Sequence, residues 1–179
     1  MGEHTPCLYH DLTLMYSDLT LTMLTFQLTD FSIPNAKNEF GYKPAPANYI
    51  RAHKRPLSSI TPIIVDHLAN NSLYFVVGAA GGSRIPTATV QALWHVLDHN
   101  MTVADALAHP RFHDQLIPSI TTFEYAFDNK TIDELKEREH NATWVAPGLS
   151  AVQALRLNWD GRFEAAGEPR QDNSAGLVA

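Results

Sequence analysis

The sequence predicts a layered α/β fold, α+β in its detail, with mostly antiparallel sheets. Three observations carry that reading. Leu57 to Val65 and Leu73 to Ala80 are short, apolar and rich in β-branched residues, as buried strands are. Pro86 to Asn100 follows with helical spacing through Val90, Leu93, Trp94 and Leu97. The chain then closes on Val152 to Asp160 and Arg162 to Ala166, a hairpin through Asp160-Gly161.

Residues 1–26 stand apart. Thr13, Thr20, Thr22 and Thr25 alternate with Leu and Met, so the segment reads either as a strand or as an unmatched, non-native leader. The domain proper is expected over 27–179. Asp30 to Arg55 is rich in Pro, Asn, Gly and Ala, which predicts a long ordered loop. Loops of that length in a compact domain are usually functional. Asn70-Asn71 supplies a short turn between the first two strands. Thr102 caps a second helix, Val103 to Ala108, which Pro110 stops. Thr121 to Phe127 alternates as a strand. Lys130 to His140 is a charged surface helix with Thr131-Ile132-Asp133-Glu134 in capping-box form, and Thr143 to Ala146 is a strand.

Composition excludes several functions. With 179 residues, 45% of them hydrophobic, the chain holds one domain with a real core or one piece of a larger fold. Thirteen basic against 19 acidic side chains, net charge -6, exclude nucleic acid as a partner, because phosphate binding needs clustered Lys and Arg. The one basic cluster, Arg51 to Arg55, is broken by Ala52 and His53. Cys7 is the single cysteine and forms no internal disulfide. No apolar run approaches the ~20 residues of a membrane span, and no signal peptide is recognisable. Met1-Gly2 is not a myristoylation start, since Pro6 occupies the Ser/Thr position. Asn70, Asn100, Asn129 and Asn141 each open a glycosylation acceptor pattern at a predicted element boundary. The four point towards the secretory pathway, with chance as the open alternative.

Two segments carry the strongest chemistry. Pro56-Leu57-Ser58-Ser59-Ile60-Thr61-Pro62 sets a hydroxyl pair at a strand edge. Adjacent residues on a regular strand face opposite ways, so both serines meet one ligand only if the backbone turns there. Gly78-Ala79-Ala80-Gly81-Gly82-Ser83 sets a glycine pair at a strand-to-helix turn, where backbone N–H groups can approach an anion closely. Gly81 and Gly82 read either as an oxyanion site or as a turn needed for tight packing. Asp30, with Gln27 three residues before it, reads either as an ammonium ligand or as a turn cap. Arg111 and His113, framed by Pro110 and Pro118, read as structural. His95 and His99 share a helix face with Asp98 nearby, either as a zinc-binding pair or as solvated surface histidines. No Glu follows the first His and no third ligand is marked, so no metal is expected.

The serine and glycine segments, with Asp30-Phe31-Ser32 before them and Pro110-Arg111-Phe112-His113-Asp114-Gln115-Leu116 after, resemble the small subunit of γ-glutamyltranspeptidase (glutathione hydrolase). The resemblance covers about residues 27–179. It implies the helix–sheet–sheet–helix sandwich of the N-terminal-nucleophile hydrolases. It also implies that Gln27 and Asp30 hold an α-ammonium, that Ser58 and Ser59 hold an α-carboxylate, and that Gly81 and Gly82 form the oxyanion hole. Implied partners are glutathione and γ-glutamyl compounds, amino-acid or peptide acceptors, and a large subunit that adds an Arg to carboxylate binding. No cofactor is implied. The compartment it suggests is extracellular, membrane-associated or vacuolar.

Departures from the family pattern are local. Thr29 replaces a first Asp, and Thr25-Phe26 stand where two Asn are usual. The family's nucleophile is a Thr opening a Thr-Thr-His or Thr-Ser-His triplet, and no such triplet occurs here; His4-Thr5-Pro6 has the wrong order. The expected activity is therefore transfer of a γ-glutamyl group to water or amino acids, by a truncated member inactive alone. The alternatives are a nucleophile-less γ-glutamyl-binding or interaction module and, more weakly, a metal-dependent hydrolase using His95 and His99.

Overall fold

The structure, a computed structural model, describes residues 30–178; the expectations for residues 1–26 and for Gln27 lie outside them. The chain divides into two compact units, one reaching to Ser58 and one starting at Ser59.

In the first unit, residues 30–58 form an ordered loop with one 3₁₀ turn, Pro46–Asn48, and a single bridge between Ser32 and Tyr49. Asn48 organises it. Its carboxamide nitrogen donates to the Asp30 carbonyl (2.8 Å) and to Ser32 Oγ (3.3 Å), while its oxygen accepts from the Leu57 amide at 3.1 Å. One side chain thus ties both ends of the loop, satisfying backbone groups that no ladder or helix serves.

The second unit contains, in order, β1 (Ile63–Asp66), β2 (Leu73–Ala80), α1 (Ile85–Leu97), α2 (Val103–Ala108), β3 (Phe112–His113), β4 (Thr121–Glu124), α3 (Asn129–Glu137), β5 (Ala142–Val145), β6 (Ala151–Leu157) and β7 (Phe163–Ala166). Four strands form an antiparallel sheet in the order β1-β2-β6-β7. A second sheet runs β3-β4-β5, and its β4–β5 pair is parallel because α3 crosses between them.

The main core is the face of the larger sheet that α1 and α2 cover. Phe75 and Val77 of β2 and Val152 and Ala154 of β6 alternate inward and meet Ala88, Ala92, Val96, Val103, Ala106 and Leu107. Phe75 and Leu107 are fully buried, each contributing roughly 1.5–3 kcal/mol relative to exposure. The smaller sheet has its own aromatic nucleus, in which Phe123 lies 5.1 Å from Phe127 and 6.0 Å from Phe112 between ring centroids.

Several elements differ from expectation. The first strand is confined to Ile63–Asp66, because Pro62 just before it has no N–H to give the ladder. The helix α1 turns inward not the large stripe Val90, Trp94 and Leu97, which are 53%, 48% and 42% exposed, but Ala88, Ala92 and Val96. Small side chains let the helix backbone come close to the sheet. The cap of α3 is Asp128, whose carboxylate accepts from the Lys130 and Thr131 amides, rather than the Thr131 box. Thr102 does cap α2, accepting from the Asp105 amide at 3.1 Å. The closing hairpin turns at Gly161, which has φ +81°.

Candidate functional site

The strand β2 ends at Ala80, and the chain enters α1 through Gly81 and a 3₁₀ turn, Gly82–Arg84. Gly81 has φ 134° and Gly82 φ 58°, conformations that favour glycine. A second constraint acts on Gly81. A Cβ there would sit 2.8 Å from the Leu149 carbonyl oxygen and 3.0 Å from Ser150 Cα, both backbone. No side chain caps the turn, and among the described residues neither the Gly81 nor the Gly82 amide donates a hydrogen bond. An uncapped run of N–H groups opening a helix is a preformed anion-binding arrangement.

The turn is pinned from behind. Arg84 Nη1 donates to Thr122 Oγ1 (3.0 Å), which donates to the His113 carbonyl (3.2 Å). His113 Nδ1 pairs with Thr87 Oγ1 at 2.8 Å, and Thr87 Oγ1 donates back to the Arg84 carbonyl at 3.0 Å. The loop of bonds closes on Arg84, two residues after Gly82. Burial lowers the Arg84 pKa, partly offset by Glu124. Burial also lowers the His113 pKa, and both its ring nitrogens are occupied, by Thr87 and Gln115.

Ser150, the wall against Gly81, is held by Arg111, which donates to its carbonyl at 3.1 Å and its hydroxyl at 3.3 Å. Arg111 in turn pairs with Glu168, 0% exposed, at 2.8 Å. Glu168 also accepts from the Val152 amide (2.7 Å) and from Arg170 Nη1 (2.9 Å). Arg170 forks onto both oxygens of Glu124 at 2.9 and 2.6 Å. Burial alone would raise the Glu168 pKa, but the bonds from Arg111, Val152 and Arg170 outweigh it and hold the carboxyl below its usual range. The small cavity behind the turn, ≈ 10 Å³ and lined by Arg84, Arg111, Glu124 and Ser150 among others, is too small for a substrate.

The other sequence-derived residues are distributed over both units. Asp30 is an exposed turn residue in the first unit, and Ser58, also exposed, is its last residue. Ser59 opens the second unit, exposed, with its carbonyl accepting from Thr61 Oγ1 at 2.8 Å. Because β1 and β2 are antiparallel, the segment from Ser59 enters β1 at the sheet end where β2 delivers Gly81. Gln27 lies outside the described residues. Asn70, Asn100, Asn129 and Asn141 are all exposed.

Arg84, Ser150 and Glu168 were not singled out by the sequence; only the position of Arg84, directly after Gly-Gly-Ser, hinted at it. The histidines require a correction. His95 is not solvated but 6% exposed, with Nδ1 buried and without a hydrogen bond. Among the described residues no group of three or more His, Cys, Asp or Glu is placed to hold a metal ion. Among them, too, no helix is long and apolar enough to cross a membrane.

One outcome follows for the turn. Gly81→Ala should destabilise the second unit by roughly 1–3 kcal/mol from backbone conformation, plus the clash with Leu149 and Ser150. Gly161→Ala, at φ +81° with nothing within 4 Å of its Cβ, carries the conformational part alone. Thermal melts of both should show the larger drop for Gly81→Ala; equal drops would mean that the wall at Ser150 does not constrain the turn.

A sequence profile of the gamma-glutamyltranspeptidase family matches residues 16–178. The chain is 50% identical over 152 residues to a glutathione hydrolase proenzyme from Arthroderma benhamiae, covering 85% of this chain and 26% of that protein. It is 40% identical over 163 residues to a glutathione hydrolase from Aspergillus flavus, covering 90% and 27%. The chain thus spans about a quarter of the length of these curated relatives. Among solved structures, a gamma-glutamyltranspeptidase mutant from Helicobacter pylori superposes with a TM-score of 0.73 at 35% identity, over 82% of this chain and 80% of that one.

Proposed function

Since this chain belongs to the γ-glutamyltranspeptidase family, we propose that it is the small-subunit portion of an enzyme cleaving the γ-glutamyl amide of glutathione and related compounds. Its fold is part of the N-terminal-nucleophile hydrolase sandwich of those enzymes. The glutamyl group passes to water or to an amino-acid or peptide acceptor, and a large subunit completes the enzyme.

The observation that carries this reading is the glycine turn. Attack on the γ-carbonyl drives its oxygen towards an oxyanion, and two preorganised amides, those of Gly81 and Gly82, are donors for it. Each such donor typically contributes ~3 kcal/mol to the transition state. Asp30, with Gln27, binds the α-ammonium in this proposal, and Ser58 and Ser59 bind the α-carboxylate. No Thr here opens a Thr-Thr-His or Thr-Ser-His triplet, so by themselves these 179 residues bind the γ-glutamyl group without turning it over. The domain proper is 27–179, and the compartment in this proposal is extracellular, membrane-associated or vacuolar.

Binding is the measurable part. Titrating the ¹⁵N-labelled chain with glutamate or glutathione should shift the amides of Asp30, Ser58, Ser59, Gly81 and Gly82, with a dissociation constant in the millimolar range, about 4 kcal/mol in all. Asp30→Ala removes the carboxylate facing the ammonium. A charge-assisted hydrogen bond contributes ~1.5–3 kcal/mol, so affinity should fall roughly tenfold to hundredfold. Unchanged affinity in Asp30→Ala, or shifts scattered away from these residues, would remove the pocket assignment.

A further inference from the structure

We propose that Asn70 is an N-glycan acceptor whose first sugar rests on an aromatic platform formed by His67 and Trp159. The four Asn-X-Ser/Thr patterns are not equivalent in the folded chain. At Asn70-Asn71-Ser72, the Ser72 hydroxyl donates to Asn70 Oδ1 at 2.8 Å, and the Ser72 amide donates to the same oxygen at 3.0 Å. Acceptor carboxamide and hydroxyl are in direct contact. Elsewhere the hydroxyl has other work or the segment is bound up in a regular element. Thr102 is committed to Asp105, which it meets at 2.6 Å while capping α2. Thr131 donates to Asp128 at 2.7 Å inside α3, the helix that Asn129 begins. Thr143 is paired in β5 opposite Thr122, and the Asn141 carbonyl accepts from the Thr121 amide.

The surroundings of Asn70 supply the second observation. The β1–β2 turn is closed by the His67 amide on the Ser72 carbonyl (2.8 Å) and the Asn71 amide on the His67 carbonyl (2.8 Å), leaving Asn70 exposed at its tip. The His67 ring contacts Tyr74 at 4.8 Å and Trp159, from the neighbouring β6–β7 hairpin, at 4.3 Å between centroids. Trp159 is 86% exposed, and Leu68 beside His67 is fully exposed. Apart from its contact with His67, the Trp159 indole lies open to solvent among the described residues. The axial C–H groups of a pyranose stack on such a face, and a sugar on Asn70 starts three residues from His67. A glycan here also leaves the glycine turn clear, since Asn70 precedes β2 and Gly81 follows it, eight residues, roughly 26 Å, further on.

In the transfer step, Nδ2 of Asn70 forms a bond to the sugar anomeric carbon of a lipid-diphosphate-linked oligosaccharide. The bond from that carbon to the diphosphate oxygen breaks, the lipid diphosphate leaves with the electron pair, and a base on the transferase takes the Nδ2 proton.

The test is secretion of the full chain from a yeast host behind a cleavable leader, with an added C-terminal acceptor tag whose own glycan reports entry into the lumen. Peptide mass mapping before and after N-glycosidase should show glycan on the Asn70 peptide, absent in Asn70→Gln. Enzymatic removal of the glycan should lower the melting temperature by roughly 2–4 °C. In Trp159→Ala the same removal should change it little, and Trp159→Tyr should restore the shift. A tagged chain that is glycosylated at its tag but bare at Asn70 overturns the site. An equal loss on deglycosylation with and without Trp159 overturns the platform.

Discussion

Glu168→Ala is expected to destabilise the second unit by about 3–5 kcal/mol, enough to lower its melting temperature by roughly 10 °C. The carboxylate is fully buried and answers two guanidinium groups, Arg111 at 2.8 Å and Arg170 at 2.9 Å, as well as the Val152 amide. Removing it leaves two cations in a low-dielectric site with, among the described residues, only Glu124 as counter-charge, and one β6 amide without an acceptor. Breaking a buried pair from one side costs far more than the pair itself contributes, because the remaining charges are not rehydrated. Glu168→Gln keeps the volume and can still accept from Val152, so it should fall between Ala and the parent. Urea denaturation of the three proteins at neutral pH gives that order directly. A change under 1 kcal/mol for Glu168→Ala would mean that water or a rearranged Glu124 serves both arginines.

The same network explains what the sequence could and could not reveal. Elements set by local rules were legible: β2 by its apolar run, α2 by the Thr102 cap and the Pro110 stop, and the last hairpin by Asp160-Gly161. The glycine turn was legible too, because consecutive glycines before a helix mark positive φ. Arg111 could be read as structural, yet nothing in its neighbourhood announces a partner 57 residues later; ion pairs between distant segments have no periodicity to read. The inward face of α1 was misjudged for a different reason. Hydrophobic size favoured Trp94 and Leu97, whereas the close approach of helix to sheet needs Ala88 and Ala92. That rotation also carries His95 into the interior.

His95 makes stability fall as pH drops from about 6.5 to about 4. Its ring is 6% exposed, Nδ1 has no hydrogen-bond partner, and it packs against His109 at 4.2 Å and His99 at 5.8 Å between ring centroids. Burial first, then the like charges of His109 and His99, lower its pKa from 6.5 to about 4. Above pH 6.5 both folded and unfolded His95 are neutral, and the residue contributes no pH dependence. Between the two values the unfolded chain takes up a proton that the folded chain refuses, so acid favours unfolding by up to 1.36 kcal/mol per pH unit. Below about pH 4 the loss is complete, on the order of 3 kcal/mol. Glu168 acts in a separate window. Its lowered pKa gives stability that is present above the ordinary carboxylate range and is lost only as pH falls below it. The two effects therefore separate in one experiment. Urea unfolding of the parent and His95→Gln at pH 7, 5.5 and 4.5 should show the parent losing stability across that range while the variant, neutral throughout, loses distinctly less. Parallel slopes for the two proteins would show that His95 is protonated in the folded state without cost, and that His99 and His109 move aside to let it.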